Sequence, residues 1–338
     1  MERLNKAHGK KEEEWISVLK YDPLPPLLLS KNAAIAFFAE REFAHKKKNN
    51  SGILRELPVV QYILRKQRSD GSWKYPRGND KIRSQENYDQ IETFRNLGYL
   101  IELYGFDRKD IEVASAIEFL FSFQTPTGDI RGILGNQYTP YYTAAMIELF
   151  VKAGFSSDKR VEKAFKWFDS IRQYDGGWAI PFRTRNKLLS IISIDSKPIE
   201  PDTLRPFSHL VTGVVLRAYA AHPHYRKSPT ANKAGQLLLQ SIFRHDAYPD
   251  RKDKSCWLKF TFPFWFTDLI SAMDTLSWLG FSKQEPQIEK AIGWFINHQQ
   301  SNGLWRLPIL KNKSIFDTEL WLSLAICRLL KRFYLEAR

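Results

Sequence analysis

The chain has 338 residues, 51 Lys and Arg against 37 Asp and Glu, a formal charge of +14, and an apolar share of 43%. That share supports a sizeable core and excludes wholesale disorder; two cysteines, Cys256 and Cys327, exclude a disulfide scaffold and a Cys-rich zinc module and fit a reducing, cytoplasmic compartment. No run of about 18 apolar residues occurs, so no membrane-spanning helix is expected, and the opening MERLNKAHGKKEEEW lacks the apolar stretch of a secretory leader.

In chain order, an apolar helix is expected over 33–46, followed by the exposed tract KKKNN at 46–50. Amphipathic stretches with apolar residues three and four apart then read as helices at 57–67, 113–124, 161–173, 231–243 and 288–300. Four share one ending: Gln67-RSDGS-Trp73, Gln124-TPTGDI, Gln173-YDGG-Trp178 and Gln300-SNGL-Trp305. The Gly after each Gln is a helix stop and turn signal. A second, more apolar helix follows each, starting near Thr93, Thr143, Thr212, Thr267 or Thr318; three of these stop at Gly105, Gly154 and Gly280, each followed by Phe. LLSIISI (188–194) is the single strand candidate.

The unit is therefore an outer amphipathic helix, a Gly-x-Trp turn, a loop, and an inner helix, in five copies. Stacked hairpins form an open solenoid or a closed ring; apolar inner helices and bulky Trp plugs favour closure. The expected fold is all-α, with residues 1–50 as an N-terminal extension of short helices and 51–338 as the repeat domain.

The recurring Gln-x(2–4)-Gly-x-Trp ending resembles the repeat of squalene and oxidosqualene cyclases and of protein prenyltransferase β subunits. The resemblance covers roughly 55–335. It implies an α/α toroid with inner and outer helix layers, and a cavity that holds an isoprenoid. The families' chemical motifs are missing. No DxDD acid motif and no DDxxD occurs, and the Asp/Cys/His zinc set of the prenyltransferases is not carried over, so no metal and no cofactor is expected. The repeat Gln and Trp residues read as structural.

In such a ring the N-termini of the inner helices share one end, where free N–H groups favour anions. Aromatics crowd the loops that enter it. Tyr88, Tyr141, Tyr142, Phe264 and Trp265 are expected to line a ligand site, with His209 shaping or polarising it and Asp268, just after Thr267, as a further carboxyl at the ligand. Glu92 and Asp317, each directly before a repeat threonine, are the candidate catalytic acid or base. Residues 181–260 hold 14 Lys and Arg against 6 Asp and Glu. Arg183 and Arg185 stand for this local excess as a basic rim suited to an anionic head group or a lipid surface.

The expected function is a terpenoid-cyclase- or prenyltransferase-like protein, reaction unassigned. Its ligand would be an isoprenoid or other elongated apolar molecule carrying an anionic head, with a peripheral membrane contact and no nucleic acid partner. The alternatives are a non-catalytic binding or interaction protein on the same scaffold, and a carbohydrate-active α/α-barrel enzyme with paired acids.

Overall fold

The computed structural model describes residues 14–44, 52–76, 85–188, 196–263, 266–310 and 317–335. It is all-α: among these residues, strand pairing is confined to isolated bridges such as Gln67 with Trp73 and Gln124 with Ile130. Residues 189–194 of the strand candidate lie outside the described residues. The chain forms two compact units, one from 51–238 and 245–252, the other from 1–50, 239–244 and 253–338.

The first unit contains α3 (Pro58–Arg65), α4 (Gln85–Tyr104), α5 (Ile111–Phe121), α6 (Pro140–Phe150), α7 (Lys159–Ser170), α8 (His209–Ala221) and most of α9 (Pro229–Ser241). Burial differs between the helices of this unit. Helix α7 buries one face through Val161, Ala164, Phe165, Trp167 and Phe168. By contrast α6 is buried at every residue from Thr143 to Phe150, and α8 at every residue from His209 to Ala220. Helices α6 and α8 pack against each other. Charges buried in this layer are paired. Arg217 of α8 meets Glu148 of α6 at 2.8 Å, and Lys152 bridges Glu148 at 2.7 Å and Glu102 of α4 at 2.6 Å.

The second unit contains α1 (Leu24–Leu28), α2 (Ala33–Phe43), α10 (Leu269–Trp278), α11 (Pro286–Asn297) and α12 (Thr318–Leu335). Asn32 caps α2 by accepting from the amides of Ala34 and Ile35. Helix α2 packs on α12, with Arg328 bonded to the Glu42 carboxylate at 2.6 and 2.8 Å. Arg332 of α12 pairs with Asp274 of α10.

One joint recurs. Trp73, Trp178 and Trp305 are buried, and each indole N–H donates to the carbonyl ten residues earlier, Ile63, Phe168 or Phe295, at 2.7–2.8 Å. Their backbone amides donate to a hydroxyl on the following inner helix: Thr93, Thr212 and Ser323, each at 2.9 Å. Ile130 takes the Trp position in the second copy and donates to Thr143. The last hydroxyl is thus Ser323 and not Thr318, five residues earlier, which begins α12 as expected. The Gly stops are as expected: Gly105, Gly154 and Gly280 have φ of +69°, +95° and +79°. The Phe281 amide reaches back to Leu276 and the Gly280 amide to Ser277, a Schellman closure, while the Phe106 amide reaches one residue further, to Leu100; both Phe rings are buried.

The glutamine side chains join neighbouring elements. Gln67 donates to the carbonyls of Gly71 in its own turn and Glu112 of α5. Gln124 does the same to Gly128 and Arg160 of α7. In the last copy the residue that does this is Gln299, donating to Gly303 and Tyr21, and not Gln300. Counting four back from the turn glycine gives Gln67, Gln124 and Gln299 in register. The third copy departs from this: Arg172 bonds Thr230 of α9, while Gln173 donates to the carbonyls of Asp202 and Arg205.

Candidate functional site

The loops before α4, α6 and α8 carry the chemistry of the first unit. After Trp178 the chain makes a buried single turn, Pro181–Thr184, begun by Pro181 at its first position. This turn presents Arg183. Its guanidinium donates to both oxygens of Asp250, Nε at 3.0 and 2.9 Å, and its Nη1 donates to the Lys187 carbonyl at 3.1 Å. The segment 245–252 that carries Asp250 is pinned at its other end. Asp246 accepts from the Ser208 hydroxyl at 2.9 Å and the Leu210 amide at 3.1 Å, and Tyr248 donates to the Pro206 carbonyl at 2.7 Å. Between these walls lies a shallow cleft of about 280 Å³. Arg183, Lys187, Arg205, Tyr248, Leu188 and Pro206 are among its lining residues. Among the described residues its lining carries three cations and no carboxylate; Asp250 and Asp202 stand behind them.

A row of tyrosines leads away from Arg183. Tyr141 feels the charges of Asp250 and Arg183, and burial pushes its phenol well above the ordinary value. Its ring lies 4.5 Å from that of Tyr142. Burial pushes the Tyr142 phenol up to about 12, against the opposing pull of Arg95 and with a further push from Tyr88. Tyr88 meets Tyr75 edge-on at 4.9 Å, and the Arg95 guanidinium lies 5.9 Å from the Tyr75 ring. Tyr75, Tyr88, Tyr141 and Tyr142 all keep part of their surface accessible. Four of the sequence candidates, Tyr88, Tyr141, Tyr142 and Arg183, therefore come together. Arg95, Tyr75 and Tyr248 are additions. Arg95 had a signal in the sequence: it is the single Lys or Arg of α4, one turn after Glu92.

The other candidates have different roles. Arg185 donates to the carbonyls of Glu200 and Pro201 and approaches Asp202 at 3.6 Å, so it braces its own loop and does not line the cleft. His209 is buried with Nδ1 3.4 Å from Asp246. Burial lowers its pKa despite that carboxylate, so it is neutral at pH 7 and belongs to the anchor of α8. Asp268, offered as a ligand contact, is fully buried as the cap of α10. It accepts from the Ser271 amide and from the Thr261 amide and hydroxyl, so both carboxylate oxygens are taken up by local structure. Phe264 and Trp265 lie outside the described residues.

Glu92 sits one turn from Tyr88 on α4 and accepts from Asn96 at 3.3 Å and Arg95 at 3.5 Å. Asp317, in the second unit, is exposed with a φ of +59° and accepts from Asn32 at 3.0 Å. With Ser323 in the register of Thr93, Asp317 occupies the place of Asn87 in α4 and not that of Glu92. Among the described residues no group of three His, Cys, Asp or Glu converges to hold a metal, and no helix is long and apolar enough to cross a membrane.

No family model matches the chain, and none of the curated proteins matches it in sequence. Among solved structures it is similar to a variant of the type II terpene cyclase MstE from Scytonema in complex with geranylgeranyl dihydroxybenzoate. The identity is 12% and the TM-score 0.48, covering 96% of this chain and 87% of that one. The ligand-free MstE structure matches at 15% identity and TM-score 0.33, over 84% of this chain and 97% of that one. A protein from Actinoplanes matches at 13% and 0.32, over 85% and 99%.

Proposed function

We propose that the hairpins of residues 51–338 close into an α/α toroid, with 1–50 as its N-terminal extension, and that the protein binds an elongated apolar ligand with an anionic head. An isoprenoid diphosphate is the first ligand to test. The observation that carries this reading is the continuity of the cationic cleft with the tyrosine row: Arg183 lines the one and acts on Tyr141 at the start of the other. Arg183, Lys187 and Arg205 supply charge-assisted donors for phosphoryl oxygens. The faces of Tyr141, Tyr142, Tyr88 and Tyr75 offer an apolar track with phenol edges that is compatible with a polyene chain. The reading is one of binding first, because Asp268 is taken up by capping. Glu92, beside the row, is the acid or base to test for any turnover, with Asp317 second.

The test is native mass spectrometry of freshly purified protein, alone and with added geranylgeranyl diphosphate or inorganic diphosphate. One retained isoprenoid diphosphate per chain is expected, with Tyr142→Ala weakening it about tenfold through lost contact area and Lys187→Gln weakening both ligands. No copurified ligand together with no binding of either added compound sinks the reading; so does a Tyr142→Ala variant with unchanged affinity.

A further inference from the structure

Next to the cationic cleft the first unit exposes apolar side chains that its own core leaves uncovered. Leu204 is 81% exposed, Tyr174 65% and Leu188 51%. They are neighbours by construction. The Tyr174 amide donates to the Thr203 carbonyl at 2.8 Å, which holds the Tyr174 loop against the turn that carries Leu204 and Arg205. Leu188 and Arg205 line the same cleft. Cations interleave with these tips: Arg185 and Arg205 have about half of their side chains accessible, 48% and 52%, and Lys187 is exposed. An exposed leucine on a tight turn serves nothing in the fold, since replacing it would uncover no core. Apolar tips flanked by Lys and Arg match the chemistry of an anionic bilayer surface, where leucine enters the acyl boundary and the cations stay at the phosphates.

We infer that this face, built from Leu204, Tyr174, Leu188, Arg185, Lys187 and Arg205, docks the protein on an anionic lipid surface. Docking would bring the cleft to the level of the phosphates, so that a lipid-borne ligand reaches it head first without crossing bulk water. The inference rests on the ligand-binding reading for its purpose, and the experiment separates the two.

The test is co-sedimentation of the full chain with vesicles of phosphatidylcholine alone and of phosphatidylcholine mixed about three to one with phosphatidylglycerol. Sedimentation is expected with the mixed vesicles only. It should fall about fivefold for each cation whose contribution high salt screens away. The double variant Leu204→Ser/Tyr174→Ser should lose about tenfold or more, because both tips leave the acyl boundary. Both positions are solvent-exposed, so the variant should keep the wild-type circular dichroism spectrum, and its binding of soluble geranylgeranyl diphosphate should be unchanged. Equal sedimentation of variant and wild type overturns the inference, as does binding to neutral vesicles alone or to neither. Vesicle binding without any isoprenoid binding would leave the docking face standing and remove the ligand reading instead.

Discussion

The side-chain amide of Gln299 donates to the backbone carbonyl of Tyr21 at 2.7 Å, and the Tyr21 backbone amide donates back to the Gln299 side-chain Oε1 at 3.1 Å. The two residues are 278 positions apart. At the other turns, Gln67 and Gln124 reach the first turn of the next outer helix. At the last turn the partner is the N-terminal segment at Tyr21, which leads through Pro23 into α1 and then α2. Residues 14–44 thus serve the second unit as a degenerate hairpin.

This register is testable. Gln299→Ala should destabilise by about 1–3 kcal/mol, since it leaves the buried Gly303 carbonyl and the part-buried backbone groups of Tyr21 without their partner. Gln300→Ala should fall within about 0.5 kcal/mol of wild type. Urea midpoints of the two variants decide it, and equal midpoints would refute the register.

Two glycines close together in sequence should respond with opposite signs. Gly303 has a φ of +84°, and a Cβ there would overlap the Asp22 carbonyl, so Gly303→Ala should cost about 2 kcal/mol or more. Gly293 lies inside α11 with open space around a Cβ, so Gly293→Ala should stabilise by about 0.5–1 kcal/mol. Thermal melts measure both.

The buried pair of Glu148 and Arg217 should be costly to break and cheap to replace. Arg217→Met alone should destabilise by about 3–5 kcal/mol, leaving a buried carboxylate with one cation fewer. Adding Glu148→Leu should recover a large part of that loss, read as the coupling energy of a double-mutant cycle. Additive single effects would show the pair to be energetically idle.

His209 gives a pH dependence with a definite sign. Its folded pKa lies below the unfolded value of 6.5, so between the two values the unfolded chain binds the extra proton. The stability it contributes is present above about pH 6.5 and is lost as pH falls through that window. His222, lowered by burial, adds to the same slope. The wild-type unfolding free energy should therefore drop from pH 7 to about 5, with a shallower slope in His209→Asn; identical slopes would show that His209 is not the group responsible. Glu148, whose carboxyl is held low by Arg217 and Lys152 against burial, contributes stability that is lost at lower pH, below about 4.5.

Much of this was legible in the residues. Periodicity marked the helices, and Gly105, Gly154 and Gly280 marked their ends, because a left-handed stop leaves a residue type behind. The doublet Gln299–Gln300 was ambiguous: both fit a loose spacing, and only a carbonyl from residue 21 distinguishes them. Thr318 opens the last helix as its place in the pattern indicates, while the hydroxyl that bonds Trp305 is Ser323, a different residue type that the threonine pattern does not mark. At the site, aromatic enrichment pointed to Tyr88, Tyr141 and Tyr142, but their alignment with Arg183 depends on helix packing that no local pattern encodes. Arg185 and Asp268 were read as ligand contacts from charge and position; loop bracing and helix capping need the same charge at the same place.

The joint between Trp and hydroxyl also separates what the fold requires from what it leaves open. The partners are 20 residues apart for Trp73 and Thr93, 13 for Ile130 and Thr143, 34 for Trp178 and Thr212, and 18 for Trp305 and Ser323. The bond is the same each time, while the connecting segment varies more than twofold in length. The joint therefore tolerates connectors of very different length, some of which, like the turn Pro181–Thr184, add their own side chains to the core while the Trp and hydroxyl ends stay fixed.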